Sequence, residues 1–117
     1  LVYAGPAETS SRIVHRASVD TSKGFRQFQK ADNSLSKGNV DSAVSHLNKG
    51  YNYFATAVDH LAKAEDDAYN KASKEIDQGN NDLQKSIDEF GKGNLDSAQA
   101  HYDRALAKYD DALDLMS

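Results

Sequence analysis

The chain contains no cysteine and no tryptophan, has one proline, and lacks any long apolar run. Without thiols there can be no disulfide, no thiolate metal site and no cysteine nucleophile. A single proline leaves long helices uninterrupted, and no stretch approaches the roughly 18 consecutive apolar residues that a bilayer span requires, so membrane insertion is not expected. Basic charge is scarce too. Lys plus Arg is 14 against 18 Asp plus Glu, a net charge of −4, too acidic for a protein that lives on phosphate contacts; nucleic acid is not an expected partner. The polar faces of the chain are acidic or mixed, which also argues against a membrane-surface helix.

What remains is a sequence of 117 residues, 38% apolar and 27% charged, the size and balance of one soluble domain. Sixteen of its apolar residues are alanine, so large side chains for a core are few. Charge is divided unevenly. Residues 1–61 carry seven basic and five acidic side chains, and residues 62–117 carry seven and thirteen. The halves are electrostatically complementary, which suits two halves facing each other within one chain or between two.

Sliding the chain by 55 positions lays residues 7–61 on 62–116 with 15 identities, the mark of a duplicated unit. The anchor is Lys37-Gly38-Asn39-Val40-Asp41-Ser42-Ala43 with His46, matched by Lys92-Gly93-Asn94-Leu95-Asp96-Ser97-Ala98 with His101. Each Gly-Asn reads as a helix end followed by a helix start. Gly38 and Gly93 suit the left-handed position after a helix, and Asn39 and Asn94 suit N-caps. Asp41 and Asp96 then fall in a first turn, where the helix dipole favours acids. One repeat is thus a helix hairpin: first helices ending near Lys37 and Lys92, second helices beginning near Val40 and Leu95. Pro6 suits a helix start or the loop before it, and residues 1–6 read as a disordered or linker segment.

A seven-residue period runs through the hairpins. Large residues recur at Val14, Phe28 and Leu35, with Thr21 in the missing step, and at Tyr69, Ile76, Leu83 and Phe90; the second helices carry Val40, Leu47, Phe54, Leu61 and Leu95, Tyr102, Tyr109, Met116. Small residues keep the period three places on, at Ala17, Gly24, Ala31; Ala43, Gly50, Ala57; Ala72, Gly79, Ser86; and Ala98, Ala105, Ala112. Such a repeat predicts helices crossing at a shallow angle as in a coiled coil, with small residues letting backbones approach. At residues 62–68 the pattern slips by one residue without a breaker. A turn there, with Asp66 or Asp67 as N-cap, gives an all-α antiparallel up-down four-helix bundle of two hairpins, 7–61 and 62–116. The alternatives are an elongated bundle with one long central helix from Val40 to Gly91, or a hairpin-swapped dimer. In the closed bundle, Asp110, Asp111 and Asp114 at the end of the last helix should meet Arg12 and Arg16 at the start of the first.

Candidate chemistry is confined to histidine. His46 and His101 are repeat equivalents beside large seam positions, at one level on parallel helices, so an inward rotation would present two imidazoles to a haem or a transition metal. The alternative is a structural role at the core edge, and His15 and His60 read as surface residues. The Glu-x-x-His pair of dinuclear iron bundles is absent, since the residues three after Glu8, Glu65, Glu75 and Glu89 are Ser11, Ala68, Gln78 and Lys92. Asp66-Asp67, Asp88-Glu89 and Asp110-Asp111 read as solvated faces, because adjacent helical residues point about 100° apart. No constellation of nucleophile, base and orienting group is present, so an enzyme is not expected.

The segments Lys37–Ala43 and Gly93–Leu106 resemble the middle of a tetratricopeptide hairpin, where a Gly-Asn-type turn precedes an Ala-rich second helix. The turns here lie 55 residues apart rather than the family's roughly 34, so the resemblance is local. It implies a helical scaffold for protein contacts. The expected function is accordingly a non-catalytic structural or protein–protein interaction domain, with a protein partner or a homodimer; a haem- or metal-binding bundle using His46 and His101 is the alternative. Compartment is left open: Leu1–Pro6 is no signal peptide, while a start without Met, as in a processed or excised chain, tilts the expectation toward an extracytoplasmic site.

Overall fold

The structure, a computed structural model, describes residues 10–117. Expectations for Pro6 and residues 1–6 therefore lie outside the described residues. Four helices follow one another: α1 (Ser10–Ser36), α2 (Val40–Leu61), α3 (Asp67–Gly91) and α4 (Leu95–Met116). They form an all-α antiparallel four-helix bundle in which α1 packs closely on α2 and α3 on α4. None of these helices is long and apolar enough to cross a membrane.

Both hairpin turns are set by local chemistry. Gly38 and Gly93 have φ of 76° and 81°, a conformation that costs other L-residues about 1–2 kcal/mol. Their left-handed backbone lets the amide of Asn39 reach the Ser34 carbonyl at 2.8 Å and that of Asn94 reach the Glu89 carbonyl at 2.9 Å, while Gly38 and Gly93 bond Leu35 and Phe90. This pair of bonds closes each helix end. Asn39 caps α2 as expected, its Oδ1 accepting from the Ser42 amide at 3.1 Å. Asn94 departs from expectation, since its side chain makes no cap bond; its Nδ2 donates to the Glu89 carboxylate at 2.7 Å. The first repeat carries Ser34 at the position of Glu89, and its hydroxyl is paired with that of Ser42 at 2.9 Å. Replacing Gly38 by alanine meets no atom within 4 Å, so its expected cost, about 1–2 kcal/mol in urea unfolding, is purely that of the backbone.

Between the hairpins the chain turns, and the long central helix is excluded. Asp66 is the N-cap of α3, accepting from the Ala68 amide at 2.8 Å, and Ala64 tucks into the core beneath the link. Phase slip and cap act together: a straight helix would have swung the apolar face of α3 away from α2.

Every member of the small-residue seam is buried, and in the middle of the bundle the large seam is buried with it. The centre holds repeat equivalents against each other. Phe54 of α2 and Tyr109 of α4 stack with centroids 3.8 Å apart and planes 17° from parallel, which places the pseudo-twofold axis of the duplication between them. Each ring lies against a glycine of its own hairpin, Phe54 on Gly24 and Tyr109 on Gly79. Buried polar groups join helices: the Tyr109 hydroxyl donates to Asn80 Oδ1 at 2.6 Å, and Ser86 donates to the Ala98 carbonyl at 2.7 Å. Towards the bundle ends the seam departs from the strict period. Ile13 rather than Val14 is the buried residue of the first turns of α1, and Leu95, at the start of α4, is 51% exposed.

Candidate functional site

His46 and His101 each lie beside a polar residue of their own hairpin, and only His46 is hydrogen-bonded to it. His46 Nδ1 lies 3.0 Å from Gln27 Oε1, between α2 and α1, and His101 Nδ1 lies 3.9 Å from the Asp82 carboxylate, between α4 and α3. Gln27 and Asp82 are themselves 55 residues apart, so the duplication repeats the pairing and carries each imidazole to the edge of its own helix pair. Both residues are half-buried. Among the described residues, no group of three or more His, Asp or Glu side chains is arranged to hold a metal ion. His60 is not a bare surface residue: its Nε2 lies 3.3 Å from Asp20 Oδ2 across α1 and α2. His15 is exposed on α1.

Aromatic rings join α1 to α4. Phe28 lies 5.9 Å from Tyr102 and 5.7 Å from Tyr109, and Phe25 lies 6.3 Å from Tyr109. The contacts His60–Asp20 and His101–Asp82 and the ion pair Lys108–Glu75 run within hairpins. Arg12 and Arg16 are exposed at the start of α1 and both are engaged in interactions.

The backbones of α1 and α4 nevertheless stay apart, whereas those of α2 and α3 come close. A groove of about 390 Å³ opens on the α1/α4 side, lined by Phe25, Phe28, Gln29 and Asp32 from α1 and by Tyr102, Leu106 and Asp110 from α4. Phe28 and Tyr102 form its floor, each only 2% exposed; Phe25 and Leu106 are half-buried walls, and Gln29, Asp32 and Asp110 stand on the rim. No lysine, arginine or histidine is among the residues described as lining it.

The electrostatics follow from that lining. Lost hydration against the groove wall raises the Asp32 carboxyl above the usual carboxylate range, the Tyr102 hydroxyl counteracts this by hydrogen bonding, and nearby Asp103 adds to the rise. The Tyr102 phenol is raised in turn, first by burial and then by the Asp32 charge. Asp32 and Asp103 therefore place two negative charges beside Tyr102.

The duplication supplies an internal comparison for this groove. Its residues fall, 55 positions away, on the α2/α3 seam: Phe25 on Asn80, Asp32 on Ile87, Tyr102 on Leu47, Leu106 on Tyr51 and Asp110 on Ala55. That seam carries a cleft of similar size, about 380 Å³, lined by Asn48, Gln84, Ile87 and Asp88, with Leu47 buried in the seam and the Gln84 amide donating to the Tyr51 hydroxyl at 3.0 Å. Asp32 and Asp110 thus stand where the α2/α3 side has Ile87 and Ala55. Sequence reasoning missed the groove, although Asp110 had drawn notice for its place near the helix end. Compared with known proteins, the chain matches no family model, no curated protein and no solved structure.

Proposed function

We propose that the protein is a non-catalytic helical bundle acting as a structural or protein–protein interaction domain. The observation that carries this reading is that three of the four buried polar side chains among the described residues, Thr21, Asn80 and Ser86, are engaged in holding the helices themselves, through Thr21 to the Ser18 carbonyl, Asn80 to Tyr109 and Ser86 to α4. A reactive centre would instead aim such groups at a shared space. The local resemblance to a tetratricopeptide hairpin and the complementary charge of the two halves support a role in protein contacts, with a protein partner or a second copy of the chain.

Native mass spectrometry of the full chain, purified without ligand or chelator, tests this. The expected spectrum shows the bare polypeptide near 12.8 kDa, or its double. A discrete excess matching haem or a transition metal, lost in the His46→Ala/His101→Ala variant, would overturn the reading in favour of a haem- or metal-binding bundle.

A further inference from the structure

Along α1 and one residue past its end runs an exposed line at alternating steps of four and three: Val19, Lys23, Arg26, Lys30, Asn33 and Lys37. That spacing keeps one narrow stripe of a helix turned to one side, as in a coiled-coil seam. Every charge on it is positive. Along α4 runs an exposed line with the same steps and the same length, Asp96, Ala100, Asp103, Ala107, Asp110 and Asp114. Every charge on this one is negative, and its two uncharged members are small. Duplication alone does not account for either line: the α3 counterparts of Arg26 and Asn33 are Asn81 and Asp88, and Asp103 and Asp110 fall on Asn48 and Ala55 of α2. Within one molecule the basic line is turned away from α4. Phe25 and Phe28 are the α1 rings that meet α4, while the Lys23 ammonium lies 5.9 Å from the ring centroid of Tyr53, on the α2 side.

On the basis of the interaction role proposed above, we infer that the α1 line of one copy packs antiparallel on the α4 line of a second copy. Laid antiparallel, the equal steps bring Lys23 opposite Asp110, Lys30 opposite Asp103 and Lys37 opposite Asp96, with Arg26 and Asn33 opposite Ala107 and Ala100. Each lysine meets an aspartate, and the alanines let the backbones approach while the arginine stem lies across them. Val19 opposite Asp114 is the one unmatched position, at the end of the contact. A parallel arrangement would set Lys23 and Lys30 on the two alanines, so charge selects the direction. Like lines repel, which disfavours α1 on α1 and α4 on α4. The contact joins two different surfaces of the chain, so association is head to tail. Exposed pairs of this kind are individually weak and screened by salt, which makes ionic strength the variable to change.

The test is sedimentation equilibrium of the full chain. At an ionic strength of about 0.01 M, where the Debye length is about 30 Å, the weight-average mass should rise with concentration above 12.8 kDa; at about 1 M, where it is about 3 Å, the mass should return to that of one chain. Lys23→Glu/Lys30→Glu and Asp103→Lys/Asp110→Lys should each associate at least tenfold more weakly than the parent at low salt, with unchanged helical circular dichroism. Mixed together they should recover association, since each reversed line then meets a line of opposite sign. Lys74→Glu/Lys85→Glu, the same change of net charge placed on α3, should retain association, separating position from total charge. A parent that keeps the mass of one chain at low salt would overturn the inference and leave the interaction role to a different partner. So would a mixture that stays apart while the parent associates, or parent-like association of either reversed variant, since both would place the contact elsewhere.

Discussion

Replacing Phe54 by alanine is expected to lower the unfolding free energy by about 3–5 kcal/mol, the range for deleting a buried phenylalanine and a large part of a small domain's total. Phe54 has no exposed surface. Its ring stacks on Phe28 at 5.5 Å and on Tyr109 at 3.8 Å, and it takes the edge of Phe25 at 5.1 Å. The void cannot collapse, because α1 and α2 already touch at their glycines and Tyr109 is tethered through its hydroxyl to Asn80. Urea unfolding followed by circular dichroism reads the change. A loss below about 1 kcal/mol would mean that the stack between repeat equivalents is not the centre of the core.

Gly50→Ala carries the second large effect, a destabilisation of about 1–3 kcal/mol from overpacking. A Cβ at Gly50 would fall on the Phe28 ring, and Phe28 is backed by the stacked pair of Phe54 and Tyr109. The second repeat has already made this exchange in both directions. Its equivalents of Phe28 and Gly50 are Leu83 and Ala105, both fully buried: the smaller partner leaves room for the methyl group. Gly50→Ala combined with Phe28→Leu should therefore be less destabilising than the sum of the single changes. Strict additivity in a double-mutant cycle would sink the argument that these two positions trade volume. Gly91→Ala is the contrasting case, since a Cβ there meets no atom within 4 Å, and its expected effect is neutral or slightly stabilising.

Much of the fold is legible before any tertiary contact is known. Lys37-Gly38-Asn39 and Lys92-Gly93-Asn94 set the two hairpin turns because a left-handed residue after a helix is a local need that glycine meets alone. Small residues every seventh position become the close backbone contacts of each hairpin, since that period keeps one narrow face turned to a neighbour. The link was readable in part, from a one-residue slip in pattern and an aspartate able to cap. Where the rules were applied residue by residue at helix ends they failed in three places, and Ile13 rather than Val14 is the residue buried at the start of α1. Asn94 found a carboxylate at Glu89 instead of a free amide, and Leu95, at the start of α4, had less of the bundle to cover it.

The groove was not legible, although its residues were in plain view. Phe25 sits off the seven-residue seam, Asp32 looks like any exposed helical acid, and Asp110 reads as a dipole mismatch near a helix end. The signal available in the sequence was the broken symmetry of the repeat, at Phe25 against Asn80, Asp32 against Ile87 and Asp110 against Ala55. A mismatch between repeats says only that two positions differ. It acquires meaning once the antiparallel bundle sets α1 beside α4, bringing residues more than seventy positions apart to the two ends of one cleft. The sequence by itself determined the helices, their caps and the duplication, because these depend on groups a few residues apart. Only the tertiary structure decided that the backbones of α2 and α3 come close while those of α1 and α4 stay apart, because that balance sets burial of apolar area against desolvation of polar groups across helices that are distant in the chain.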